Sequence, residues 1–407
     1  MSVRPKPWFA AATVSSSEAF TLCGYELVRS ASNTLFKANY GTSNLPVVMA
    51  LVPLSVLAVL AGYNWLLSRT GPRRTLWWTS ILSGAAIFGC WWGIRMQWAP
   101  ASAALYLFRE AYVVLLIEQY WSFLNSTLVV KDAKKYNGPI TGWASLGAIL
   151  GGYLVHLWSV PLGTNNLLLF AVALVFPGAV LSEWAYRRCG EPVPQENSAK
   201  PHHLGLDLFK SSPLLVLLMA LILATQVYST FVGLNFQGAL QEAIPDPDVQ
   251  TAYSGKFFSL LNAVAAALQF ILAPLLLQRV SVSTAHLIIP FIHMICCAAL
   301  VFSPGLDTAA IVYLTFKAFD YSVFRAVKEV LYIPFSFDVR YRAKELIDVF
   351  GYRFGKGGAS LGILLLQRAG LVFEKLYAPF ALVVTFLWVG IVLGIRKDLK
   401  RENAGIH

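Results

Sequence analysis

Apolar residues along this chain fall into long runs separated by short, mostly basic intervals. Twelve runs can be marked, at roughly 17–38, 45–68, 74–97, 102–126, 138–159, 164–187, 211–236, 254–278, 282–302, 307–333, 346–368 and 376–396. At about 1.5 Å per residue each is long enough to cross about 30 Å of hydrocarbon, so the pattern predicts an all-α polytopic membrane protein. The intervals test that layout. Arg69, Arg73 and Arg74, then Lys131, Lys134 and Lys135, then Arg187, Arg188, Lys200 and Lys210, then Arg279, Arg340, Arg342 and Lys344, and finally Arg396, Lys397, Lys400 and Arg401 all fall on one side. The opposite intervals are poor in cations, and the longest, "QEAIPDPDVQ", is acidic. Cations concentrate in inside-facing loops, so both termini are expected on the cytoplasmic side. Arg4 and Lys6 precede no continuous apolar core with a small-residue cleavage site, and the first span is expected to stay in place.

Residues 188–210 form the longest polar interval and divide the spans six and six. The expected domains are a six-helix bundle at 1–187, a cytoplasmic linker at 188–210 and a second six-helix bundle at 211–407. The halves echo one another: "DAKK" at 132–135 precedes "ASLGAIL" at 144–150, and "RAKE" at 342–345 precedes "ASLGILL" at 359–365. Such echoes are the trace of two pseudo-symmetric bundles with a site near the midplane.

Composition places the 407 residues in the same class, with 57% hydrophobic and 13% charged. The net charge of +11 sits in the short clusters already counted, so nucleic acid is not an expected partner. Cys23, Cys90, Cys189, Cys296 and Cys297 make neither a disulfide framework nor metal-ligand spacing. The histidines are scattered, and His156 and His293 are expected to be satisfied packing residues. No triad or carboxylate pair calls for an enzyme, and no metal or cofactor is expected.

The informative residues are the charges that interrupt the spans. Each ionised side chain at a bilayer centre costs roughly 2.5 to 3.5 kcal/mol on an insertion scale, so such groups must face protein, water or a solute. In the first span Glu26, Arg29, Asn33 and Lys37 lie within about 80° at helical spacing. In the fourth, Glu110, Glu118, Trp121 and Asn125 share another face, with Arg109 set apart and expected to pair with a neighbouring acid. In the tenth, Lys317, Asp320 and Lys328 lie within about 80°, with Arg325 and Glu329 on the adjoining strip. The eleventh adds Asp348, Arg353 and Lys356 and two glycine pairs, Gly351 with Gly355 and Gly358 with Gly362, which would allow close helix approach. "GYRFGKGG" lacks the spacing, the hydroxyl residue and the preceding strand of a nucleotide-hydrolysing loop. Together Arg29, Lys37, Arg109, Lys317, Arg325, Lys328, Arg353 and Lys356 set a cationic excess against six acids, which suits a polyanionic solute. Lys37 and Lys317, near helix ends, are expected to snorkel to the interface.

Two resemblances sharpen this. The loop "LLSRTGPRRTL" at 66–76 is similar to the basic glycine loop of the major facilitator superfamily, with Ser68 where that motif has an acid. "VKEVLYIPFSFDVRYRAKELIDVFGYRFGKGGAS" and "YWSFLNSTLVVKDAKKY" resemble signature segments of the ATP/ADP translocases of plastids and intracellular bacteria. The matching positions are Arg29, Trp121, Asn125, Lys134, Lys328, Glu329, Tyr332, Pro334, Lys344, Asp348, Gly355 and Lys356. The resemblance implies a major-facilitator-like fold and counter-exchange of nucleotides or related phosphorylated anions. The chain departs from that family at Ser32-Asn33, where the pattern has a lysine-aspartate pair, and at Gly233, where it has an acid.

The sequence thus predicts a secondary transporter, an antiporter of a nucleotide or another phosphorylated organic anion working by alternating access as a monomer in the bilayer. The candidate substrate-binding residues are Arg29, Asn33, Glu118, Trp121, Asn125, Asp320, Arg325, Lys328, Glu329, Tyr332, Arg353 and Lys356. Arg29, Lys328 and Arg325 would contact phosphate, Glu118 and Asp320 would tune those cations or couple protons, and Trp121 or Tyr332 would stack on a base. The alternatives are a proton-coupled carrier of a different solute, titrating Glu118 or Asp320, and a transport-inactive membrane scaffold whose charges are structural.

Overall fold

The computed structural model describes residues 7–191, 209, 212–332, 335, 344, 347, 351–371 and 374–403. Among them there is no strand. The helices, in chain order, are α1 (Pro7–Tyr40), α2 (Leu45–Arg95), α3 (Pro100–Thr127), α4 (Val130–Leu162), α5 (Leu167–Cys189), α6 (Pro213–Ala243), α7 (Pro247–Ala267), α8 (Ala273–Arg279), α9 (Val282–Phe302), α10 (Leu306–Phe319), α11 (Arg325–Val330), α12 (Tyr352–Arg368) and α13 (Tyr377–Asn403). Wide π turns join α7 to α8 at Leu268–Leu272 and α10 to α11 at Asp320–Phe324.

Eight helical stretches among the described residues are long and apolar enough to cross a membrane. The α2 helix corresponds to two of the expected spans: it is continuous except at Gly71, whose φ of 76° breaks the rod inside the basic glycine loop. The α1 helix is too polar to qualify, and its surroundings explain how it is tolerated. It buries 20 residues, among them Glu18, Glu26, Asn33 and Lys37, so protein rather than lipid is its solvent. Several of its hydroxyls are satisfied locally: Thr13, Ser15, Ser17, Ser32 and Thr34 each donate to a carbonyl three or four residues back.

The chain folds as two compact units. The first comprises Met1–Gly41, Leu54–Asn197 and Ile244–Ala263, and the second Thr42–Pro53, Ser198–Ala243 and Val264–His407. In the first, α1 packs on α3, α4 and α5. A Cβ placed on Gly147 would lie 2.6 Å from the Ala19 Cα, and one on Gly151 2.8 Å from the Cys23 Cα, so α4 meets α1 at backbone contact. The same helix meets α7, where a Cβ on Gly255 would lie 2.6 Å from the His156 amide nitrogen. The second unit is built on α6, packed against α10, α12 and α13. Of the two expected glycine pairs in α12, only the first is close-packed: a Cβ on Gly351 would meet Ile222 at 2.8 Å and one on Gly355 would meet Gln226 at 3.0 Å, whereas Gly358 and Gly362 face open space. The expected linker lies mostly outside the described residues, as does Asp348. The cysteines are all free thiols.

Close packing at Gly151 yields a direct test. Gly151→Val would overpack the α1–α4 contact and is expected to cost about 1–3 kcal/mol, read as a lower melting temperature in detergent. Gly89→Val, which has nothing within 4 Å, serves as the control for generic effects in a helix.

Candidate functional site

Each unit holds its own interior charge cluster. In the first unit the stripe on α1 is real, but its organiser comes from α3. Arg109 is 4% exposed, and its Nη1 donates to the Arg29 carbonyl at 2.9 Å, to Ser32 Oγ at 2.7 Å and to Asn33 Oδ1 at 2.7 Å. Its Nε reaches Glu110 Oε1 at 3.2 Å, the neighbouring acid anticipated from sequence, and its guanidinium lies 3.8 Å from the Tyr106 ring centroid. Arg29 binds Glu26 Oε1 at 3.3 Å and stacks on Phe258 at 3.7 Å from the ring centroid. Asn262 donates to the same Glu26 oxygen at 2.9 Å, so α7 closes this cluster. Ser32 and Asn33, the positions where the chain departs from the translocase pattern, are therefore occupied: they accept a cation delivered by another helix.

Glu118 and Asn125 are exposed, and Trp121 is half-buried. The Trp121 side chain instead lies beside Glu18. That acid escaped the sequence reading although it lies near the face of Glu26 on α1. Glu18 is 5% exposed, and its Oε2 has no hydrogen-bond partner. The signal was present as an acid three turns before Arg29 on a helix otherwise free of acids up to Glu26.

Lys37 and Lys317 do not snorkel. Lys37 is 2% exposed and Lys317 8% exposed, because both lie where helices pack rather than at a free end. Lys317 pairs with Asp320 at 3.6 Å. In the second unit the π turn at Asp320–Phe324 inserts an extra residue between that pair and the next cation. Beyond it Lys328 is 2% exposed, 3.8 Å from Glu329 and within 5.3 Å of the Tyr352 ring centroid and 5.8 Å of that of Tyr332. Glu329 also receives Lys344, and Tyr332 is buried. Arg325, on the adjoining strip, is exposed, while Arg353 and Lys356 on α12 are half-buried and have partners of their own. Asp320, Lys328, Glu329 and Tyr332 are thus brought together, and Arg325 is not sunk with them. Gly233 packs 3.4 Å from Tyr313, measured from a hypothetical Cβ, so an aromatic ring borders the space an acid would need.

His293 is buried among Tyr228, Phe316, Phe319 and Trp388, yet neither ring nitrogen has a hydrogen-bond partner, which corrects the expectation of a satisfied histidine. His156 fits that expectation, its Nδ1 lying 3.2 Å from the Ala252 carbonyl. No group of three metal-binding side chains occurs among the described residues.

Residues 308–399, which carry the second cluster, match the family model described as TLC ATP/ADP transporter. The ADP,ATP carrier protein 1 of Rickettsia conorii is 24% identical over 354 residues, covering 76% of this chain and 71% of the relative. That of Chlamydia muridarum is 23% identical, covering 70% and 63%. The chloroplastic ADP,ATP carrier protein 1 of Arabidopsis thaliana is 24% identical, covering 60% and 44%. The chain is similar to the ATP/ADP translocases. Those relatives are carriers, not enzymes. Among solved structures, a variant of the nucleoside transporter NupG superposes with a TM-score of 0.72 at 12% identity, covering 96% of this chain and 99% of that one. An auto-inhibited peptide transporter of the POT family gives 0.67 at 12% identity, covering 96% and 97%. The fold of this multi-pass membrane protein is accordingly major-facilitator-like.

The three-point grip on Arg109 predicts a strong effect of its removal. Arg109→Leu takes the arginine's donor from Asn33 Oδ1 and leaves Ser32 and the Arg29 carbonyl bonded only to each other, and is expected to lower stability by about 1–3 kcal/mol. Arg109→Lys recovers only part of this, because an ammonium lacks the planar fork. Thermal melting in detergent reads both, with Glu118→Gln, an exposed position, as the control expected to stay within about 0.5 kcal/mol of the parent.

Proposed function

We propose that the protein is a secondary transporter that exchanges a nucleotide or a related phosphorylated anion across a bacterial inner membrane by alternating access. The observation that carries this reading is the burial of cations in both units: Lys37 and Lys328 at 2% exposure and Arg109 at 4%. Ionised groups in a membrane-embedded interior are expensive to keep, and they persist where a solute of opposite charge repays the desolvation. The relatives supply the solute class, since their names identify them as ADP,ATP carriers. The major-facilitator-like fold supplies the means of transport.

In this reading Lys328 and Arg29 contact phosphate oxygens, with Arg325, Arg353 and Lys356 adding positive potential. Asp320 and Glu329 hold the neighbouring lysines in place, Asn33 and Asn125 donate polar contacts, and Tyr332 or Trp121 stacks on a base. Glu118 remains the acid that tunes these cations. The two six-helix bundles at 1–187 and 211–407 are the moving bodies, with the polar stretch 188–210 linking them and both termini in the cytoplasm. Strict exchange of ATP for ADP is the narrower form, and Ser32, Asn33 and Gly233 bear on it because they change which charges the interior carries.

The test is uptake of labelled nucleotide into proteoliposomes preloaded with unlabelled nucleotide. The parent is expected to exchange. Lys328→Ala is expected to lower the rate at least about tenfold, since a charge-assisted contact is worth about 1.5–3 kcal/mol. Uptake by the parent that needs no internal nucleotide would remove exchange, and equal rates in both proteins would remove Lys328 from the path.

A further inference from the structure

One interior cation has no acid assigned to it. The Lys37 Nζ is buried and has no hydrogen-bond partner, and no ion pair reaches it. The sequence explains why. From Leu27 to Arg109 the chain contains no aspartate or glutamate, so neither α1 beyond Glu26 nor the whole of α2 can offer one. Of the other first-unit acids, Glu26 binds Arg29 and Asn262 through Oε1, Glu110 binds Arg109, and Glu18 lies 19 residues before Lys37, about 28 Å along the α1 axis. Asp248, on α7, accepts the Thr164 backbone amide at 2.7 Å.

α3 packs against α1 at the level of Lys37. The two helices run antiparallel, with Asn39 donating to Ser102 at 3.1 Å, Phe36 against Tyr106 at 5.4 Å between centroids, and Asn33 against Arg109 at 2.7 Å. Lys37 falls between the first two crossings. At that level α3 carries Ser102, Leu105 and Tyr106, all buried and none acidic. On α1 the lysine continues the stripe of Arg29 and Asn33, one turn beyond Asn33. A buried ammonium without a counter-ion is strongly disfavoured: it either gives up its proton or is completed by an anion.

We propose that Lys37 is an anion-binding site in the first unit that takes one phosphate or carboxylate group of the transported solute. It rests on the transport reading, and deepens it: Arg29 and Lys37 lie eight residues apart on one face of α1, about 12 Å along the axis, a span suited to an extended solute carrying separated charges. Arg109, fully engaged with α1 and Glu110, holds the stripe rather than binding the solute.

The probes are AMP, ADP, ATP and citrate, tested by thermal stabilisation of the full-length protein in detergent and by uptake in proteoliposomes. The parent is expected to bind at least one. Lys37→Met is expected to weaken that probe at least tenfold, while Lys37→Arg stays within threefold, because the site needs a cation rather than a particular shape. A parent that binds a nucleotide equally well with and without Lys37 overturns the site and leaves the nucleotide reading standing. A parent that binds citrate alone, lost in Lys37→Met, supports the site and overturns the nucleotide reading. Binding of none of the four overturns both. Should Lys37→Met fail to fold, reductive methylation of the parent decides: the bound probe is expected to slow labelling of Lys37 at least threefold, and an unchanged rate overturns the site.

Discussion

The cost of keeping ionised side chains away from water governs this molecule more than any single contact. A helix carrying Glu18, Glu26, Arg29 and Lys37 has no stable place against lipid, so it must be wrapped in other helices. Wrapping demands close approach, and the glycines of α4 provide it by letting backbone touch backbone along α1. The remaining helices can then be apolar outside, which is why eight qualify as spans while the most buried helix does not. Polarity at the centre and hydrophobicity at the rim are two consequences of one expense.

Arg109 shows how that expense is met. Its guanidinium serves Ser32, Asn33, the Arg29 carbonyl and Glu110, the first three sharing the two hydrogens of Nη1. The loss of a lysine-aspartate pair from the translocase pattern at 32–33 is thus not a vacancy. A cation still stands at that level of α1, carried there by α3 and held by two neutral side chains. What has changed is the acid, since Asn33 cannot carry the negative charge of an aspartate. These two positions lose one charge of each sign, so they leave the net charge of the unit unchanged.

Much of this was legible beforehand. Run length and the placement of arginine and lysine gave the all-helical membrane class, and helical spacing gave the stripe of Glu26, Arg29, Asn33 and Lys37. The wheel also separated Arg325 and Glu329 from the sunken Lys317, Asp320 and Lys328, as their exposures bear out. Other features depended on neighbours that periodicity cannot name. Arg109 looked peripheral on its own helix because its partners lie on another one. Lys37 looked free to snorkel because its position near a helix end said nothing of its burial. Gly358 and Gly362 carried the same spacing as Gly351 and Gly355, but only the latter pair has a helix opposite. Glu18 was passed over because an acid near the start of a span reads as a boundary when its burial is unknown.

The π turn at Asp320–Phe324 has a consequence for how this charge pattern can vary. A wide turn accommodates one residue more than a regular helix, and removing or adding a residue there rotates everything downstream by about 100°. Lys328 would then swing off the buried face while its own identity stayed the same. In this segment the length of the chain is as much a determinant of interior charge as its chemistry, so a single-codon deletion would rewrite the cluster more thoroughly than most replacements.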